Sequence, residues 1–141
     1  MPLEPFDVIC HDVARAEMRV CEVPGSASSR LGGKYFLREF YCTEPGCDCR
    51  RVLVQFMKDT EPGRVAASIN YGWGRAKFYK KWSRDPVLWR EMAGATLEPL
   101  AEQGPHANEL LKIFSRIIQD RQLVAAFRRH YALVKKIIDE P

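Results

Sequence analysis

An α+β fold is expected from the amino-acid sequence on three observations. Runs rich in Val, Ile, Phe and Tyr come first, at 34–42, 50–57 and 64–71, and in the second and third of these the side chains alternate with the period of two that strands require. After Gly72 the apolar period changes to about 3.6 and stays there, which marks helices. The connections between the strand-like runs are short and rich in turn residues. Consecutive strands should therefore pair as an antiparallel meander of three to four strands, followed by several helices packed on one face.

Taken in order, the first thirty residues carry the weakest pattern. Leu3, Phe6, Val8 and Ile9 form an apolar start, followed by residues 11–17 without a clear stripe. Residues 18–23 fit an edge strand, with Met18, Val20 and Glu22 on one face and Arg19, Cys21 and Val23 on the other. Residues 24–29 read as a flexible loop. Gly32-Gly33 reads as a turn, because the strand before and helix after that a phosphate-cradling loop requires are missing. In the second β run Val52, Val54 and Phe56 point one way, and in the third Val65, Ala67, Ile69 and Tyr71 do. Helices are expected at 75–83, where Phe78 and Trp82 share a face, and from Asp85 as N-cap through Met92, ending at Gly94. Residues 95–105, with Pro99, Gly104 and Pro105, read as a loop. Helices follow at 106–118 and 120–138, the last with a stripe of Leu123, Phe127, His130, Val134 and Ile137.

The length, 141 residues, suits a single domain over 1–141 with its own core. The chain is 46% hydrophobic and 28% charged, an ordinary composition for a soluble protein. No apolar run approaches the roughly 20 residues of a membrane span, and residues 1–5 lack the basic and apolar regions of a secretory signal. A cytoplasmic setting without membrane contact is the expectation. Thiols there stay reduced, and clustered cysteines point to metal or redox chemistry. The net charge of +4 permits an anionic partner without requiring one.

Three of the five cysteines fall in the stretch Tyr41-Cys42-Thr43-Glu44-Pro45-Gly46-Cys47-Asp48-Cys49-Arg50-Arg51. The spacing Cys42-x4-Cys47-x-Cys49 departs from the paired C-x2-C patterns of common zinc sites. The local chemistry still suits a metal. Pro45 pre-sets φ at the second position of a tight turn and Gly46 accepts positive φ at the third, which carries Cys42 back over Cys47 and Cys49. Three thiolates at about 2.3 Å would make a tetrahedral zinc site short of one ligand. Cys10, His11, Cys21, His130, Asp48 and water are the candidates for the fourth position; His106 falls in a loop. His130 lies on an apolar stripe, where a hydrogen-bonded core role is the ordinary one. Arg50 and Arg51 should offset the charge of the thiolates. The competing readings are three thiols packed as core, a Cys42–Cys47 disulfide, or another redox role.

Further motifs run in a set order: Tyr41-Cys42-x4-Cys47-Asp48-Cys49-Arg50-Arg51-Val52, Ile69-Asn70-Tyr71-Gly72-Trp73, Phe78-Tyr79-x-x-Trp82, Leu97-Glu98-Pro99-Leu100 and Arg129-His130-Tyr131. In these the chain resembles uncharacterised bacterial proteins in which such a region precedes a C-terminal SEC-C metal-binding motif. The resemblance spans residues 7–138 and implies one compact domain with a Cys-rich turn, while the SEC-C tail itself is absent from these 141 residues.

Three functional classes follow. The first is a zinc-binding module with a structural Cys-rich turn, acting as a binding or adaptor domain for a protein partner. The second is a single-stranded nucleic-acid binder, suggested by Arg75, Lys77, Lys80, Lys81, Arg84 and Arg90 interleaved with Phe78, Tyr79, Trp82 and Trp89 between Trp73 and Arg90. Against it stands an amphipathic helix that packs those rings on the sheet and turns its lysines to water. The third is a small zinc-dependent hydrolase, which no catalytic signature or paired acids support.

Overall fold

A computed structural model describes residues 2–25 and 30–140; the part of the expected loop at 26–29 lies outside the described residues. The chain opens with strand β1 (Leu3–Pro5) and two short helices, α1 (Phe6–Ile9) and α2 (His11–Glu17). Strands β2 (Arg19–Val23), β3 (Gly33–Cys42), β4 (Arg51–Lys58) and β5 (Ala67–Gly72) follow. A single helical turn, α3 (Ala76–Tyr79), and α4 (Pro86–Met92) lead to β6 (Gly94–Leu97), and α5 (Ala107–Ile117) and α6 (Arg121–Asp139) complete the fold. All strand pairs are antiparallel, in the order β1-β3-β4-β5-β6, with β2 also on β3. This is the expected α+β meander with helices after it, enlarged by two short strands at its margins.

The core lies where one face of the sheet meets α5 and α6. Tyr35, Leu37 and Tyr41 of β3, Val52, Val54 and Phe56 of β4, and Ala67 and Ile69 of β5 alternate onto that face and are all buried. Leu110 and Phe114 of α5 and Leu123, Phe127 and Val134 of α6 meet them. Phe114 stands edge-on to Phe56 and Tyr71, and Phe127 lies against Phe114, so rings knit the two layers. Ile137 is 50% exposed, so the expected stripe of α6 stops at Val134 and Ile138 takes the inward place further on.

Other departures have local causes. β1 has three residues, the last of them Pro5, too short for a readable alternation, and that proline is tolerated because the strand lies at an edge. β6 falls where a loop was expected; Gly-Ala-Thr-Leu has no pattern of its own and becomes a strand by pairing with β5, Ile69 opposite Leu97. The third β run starts at Ala67 rather than at 64, because the Ala66 carbonyl accepts from the Gly104 N–H instead of a neighbouring strand. Where the ladder to β6 ends, the Gln103 side chain takes over. Its amide accepts from the Ser68 N–H (2.8 Å) and donates to the Ser68 carbonyl (2.8 Å), as a strand residue would.

Gly72 is a point of close approach between β5 and the helical segment that follows. A Cβ there would collide with the Met92 carbonyl and the Tyr79 hydroxyl. Because one of these is backbone and cannot swing aside, Gly72→Ala should destabilise the fold by about 1–3 kcal/mol, the usual cost of overpacking. Chemical denaturation checks this, and an unchanged midpoint would show that β5 and α4 are not held that closely.

Candidate metal centre

β3 and β4 are buried strands, and the eight residues between Cys42 and Arg51 reverse the chain from one to the other. The reversal begins as expected: the Cys47 N–H donates to the Glu44 carbonyl (3.2 Å), with Gly46 at φ 74° in the third turn position. It ends on Arg50 at φ 52°, a conformation that costs a residue with a Cβ about 1–2 kcal/mol. Three bonds hold Arg50 there. Its N–H donates to the Tyr131 hydroxyl (3.3 Å), and its carbonyl accepts from the Trp73 N–H (3.1 Å) and the Tyr79 hydroxyl (2.9 Å).

The turn brings the three sulfurs of Cys42, Cys47 and Cys49 within 4.8 Å of one another. Cys42 and Cys49 are fully buried and Cys47 is half-buried. Tetrahedral zinc with bonds of about 2.3 Å spaces its sulfurs roughly 3.8 Å apart, so the group lies within a small contraction of that geometry. The Glu44 N–H points at the Cys42 sulfur (3.4 Å), and the Arg51 N–H bonds the Cys49 sulfur. Such N–H donors favour the thiolate form. Without a cation Cys47 and Cys49 hold their protons. Burial, then the neighbouring Cys49 and Cys42, pushes Cys47 up to about 12, and burial followed by Cys42 raises Cys49. A metal ion entering here displaces those protons. The three-cysteine group can thus hold a metal ion.

The rest of the turn is fixed from a face of α6 to which the sequence assigned no such role. Tyr131, Lys135 and Asp139 recur every four residues and so share a face. The Tyr131 hydroxyl donates to the Cys47 carbonyl (3.3 Å), Lys135 Nζ donates to the Glu44 carbonyl (3.3 Å), and Asp139 Oδ1 accepts from the Gly46 N–H (3.2 Å). Lys135 is also a cation that faces Cys47 and Cys49 and favours their ionised forms. Arg50 does not serve that purpose as expected. Its guanidinium pairs with Asp48 (3.0 Å) and lies 3.9 Å from the centre of the Phe78 ring. Arg51 reaches the site through its backbone, and its Nε is buried without a hydrogen-bond partner among the described residues.

Among the described residues, no fourth His, Cys, Asp or Glu donor joins the three sulfurs within the same 4.8 Å. Cys21 pairs with Tyr35 on β3, seven residues before Cys42 and so about 23 Å away at roughly 3.3 Å per residue. His11 is exposed on α2, Cys10 precedes that helix, and Asp48 is turned to Arg50. His106 precedes α5. His130 is a hydrogen-bonded core residue: its Nδ1 lies 2.7 Å from Glu39, its Nε2 3.4 Å from Glu17, and the Phe6 ring stacks on it at 4.3 Å. Glu39 also accepts from the Tyr41 hydroxyl (2.5 Å), and burial, then the Glu39 charge, holds Tyr41 well above its usual pKa. Arg129 pairs with Glu17 and, with His130, keeps that carboxyl below the ordinary range.

The segment between Trp73 and Arg90 is not the amphipathic helix that would tuck its rings under the sheet. α3 is one turn long with Tyr79 its buried residue, and α4 buries none. Phe78 and Trp82 pack edge-on to each other (5.2 Å), with Lys81 Nζ over both at 4.1 and 4.3 Å. Tyr79 ties the segment to the cysteine turn, donating to the Arg50 carbonyl and accepting from the Gly74 N–H (3.2 Å). Burial pushes its hydroxyl up to about 12. The folded pKa is raised above the usual 10 or so, so this contribution is complete below about pH 10 and is lost as pH climbs through 12. Tyr79→Phe should therefore be less stable than wild type at pH 8, by about 1 kcal/mol, with the gap narrowing towards pH 12. Denaturation midpoints across that range check it; a constant gap would assign the effect to packing.

The fold and the site together define an α+β domain with a three-thiol group able to hold a metal ion between two strands. No family model, curated protein or solved structure matches the chain. Among the described residues, no helix is long and apolar enough to cross a membrane.

Proposed function

We propose that the chain is a small zinc-binding domain in which Cys42, Cys47 and Cys49 hold the metal, and that it works as a binding or adaptor module for a partner. The observation that carries this reading is the convergence of three sulfurs within 4.8 Å on a turn already fixed by the sheet and by α6. Thiolate donors in a closed setting suit zinc, which needs no particular ligand field and accepts tetrahedral sulfur. Water or a donor from a partner would fill the fourth position. Zinc bound in this way would supply a positive charge that keeps three buried thiolates together and locks the turn.

A hydrolase would also need a general base within hydrogen-bond reach of a metal-bound water. Asp48, between the ligands, is occupied by Arg50, and His130 by Glu39, so the arrangement favours the structural role. Elemental analysis of protein purified without tag or chelator tests the proposal. About one zinc per chain is expected; metal-free protein in which Cys42, Cys47 and Cys49 react freely with a thiol reagent would overturn it.

A further inference from the structure

Beside the metal turn lies an open cleft of about 710 Å³, bounded by the turn, by residues 73–78 and by α6. Four cations line it, Arg50, Arg75, Lys77 and Arg128, against the single carboxylate of Asp48. That carboxylate is already paired with Arg50. Among the described residues, Arg75, Lys77 and Arg128 have no ion-pair partner. The lining thus holds most of the chain's net charge of +4 in one concavity. Like charges gathered without counter-charges repel one another, and a polyanion removes that cost.

The cleft also has aromatic walls. Trp73 stands edge-on to Tyr131 at 5.1 Å, and Phe78 carries the Arg50 guanidinium on its ring. An acidic peptide would satisfy the cations but would make no use of these planes. Bases stack on aromatic rings and on guanidinium planes, while phosphates take the lysines and arginines. Beyond the cleft the same alternation continues along the exposed segment. Lys81 lies over Trp82, and Lys80 and Arg90 lie over Trp89 at 5.0 and 5.1 Å. A track of this kind suits a polymer with one phosphate per nucleotide better than a single nucleotide.

We propose that this cleft binds single-stranded nucleic acid, with phosphates held by Arg75, Lys77 and Arg128 and bases against Trp73 and the Arg50–Phe78 stack. The interface expected from sequence, between Trp73 and Arg90, is thereby recentred on residues from the turn and from α6. The cleft is formed by geometry that does not depend on the metal reading, and either can fail without the other.

The test is fluorescence anisotropy of the full chain with a labelled oligouridylate of about 12 nucleotides, zinc content being measured on the same preparation. Binding is expected to weaken with salt, log K falling by about 0.7 per phosphate for each unit of log salt. Arg128→Glu and Lys77→Glu should each weaken binding roughly tenfold. Arg116→Glu, the same charge change on α5 outside the cleft, should leave it within about twofold. Binding that is absent, or equally reduced by Arg116→Glu, would overturn the proposal. So would competition by polyglutamate as effective as that by unlabelled oligouridylate at equal charge, which would assign the cleft to an acidic protein.

Discussion

Cys49→Ser is expected to yield a folded chain that no longer retains zinc and melts at a markedly lower temperature. Cys49 is 1% exposed and lies two residues before β4, so its sulfur is held by burial and by the Arg51 N–H that bonds it. Removing one of three protein donors takes away a third of the coordination that the chain supplies. A ligand present at a hundred times its dissociation constant stabilises the folded state by about 2.7 kcal/mol. For a domain of this size that is roughly 10 °C in melting temperature. Cys21→Ser is the matched control: its thiol lies near the other end of β3, opposite Tyr35, and metal content should not change. Equal zinc content in wild type and Cys49→Ser, with a melting point insensitive to chelator in both, would sink the assignment.

The second large effect is expected at Glu39, far from any chemistry proposed for the chain. Its side chain lies inside the core at 6% exposure, between the Tyr41 hydroxyl and His130 Nδ1. Glu39→Leu would leave the imidazole facing an apolar side chain and leave Tyr41, among the described residues, only the Phe127 carbonyl at 3.3 Å. A buried polar group without its partner costs about 1–3 kcal/mol, so a total loss of about 3 kcal/mol is expected. Replacing both members, Glu39→Leu with His130→Leu, should cost clearly less than the sum of the single changes, because neither partner is then orphaned. Strict additivity in that double-mutant cycle would mean that the pair does not act as a unit.

These two sites differ in how far the sequence revealed them. The three-thiol turn could be read from Cys42, Pro45, Gly46, Cys47 and Cys49, because turn chemistry and the clustering of cysteines are local properties. The meander was legible for a similar reason: alternation in β4 reports a buried face without knowledge of what covers it. Gly94-Ala95-Thr96-Leu97 was not legible, since its strand character comes only from β5 beside it. Lys135 and Asp139 were missed, and Tyr131 was noted only within a motif, because a helix-wide hydrophobic stripe draws attention to Leu123, Phe127 and Val134, and the contacts of the next face involve residues some ninety positions earlier. Glu39 was missed because a glutamate in an alternating strand is ordinarily assigned to solvent. Only the positions of Tyr41, two residues on, and His130 on α6 make its burial tenable.

The side-chain amide of Gln103, standing in for a strand residue against Ser68, bears on how this domain keeps company with copies of itself. A sheet ends wherever N–H and C=O groups stop being paired, and such a row is a template for another chain. Here the outer rows are short: three residues in β1, five in β2 and four in β6. Where β6 leaves β5, Gln103 and the Gly104 N–H occupy the groups that an incoming strand would seek. A domain with a six-stranded sheet thereby offers little edge for cross-β growth, and part of that colloidal protection comes from a glutamine in a segment that looks, by composition, like nothing more than a loop.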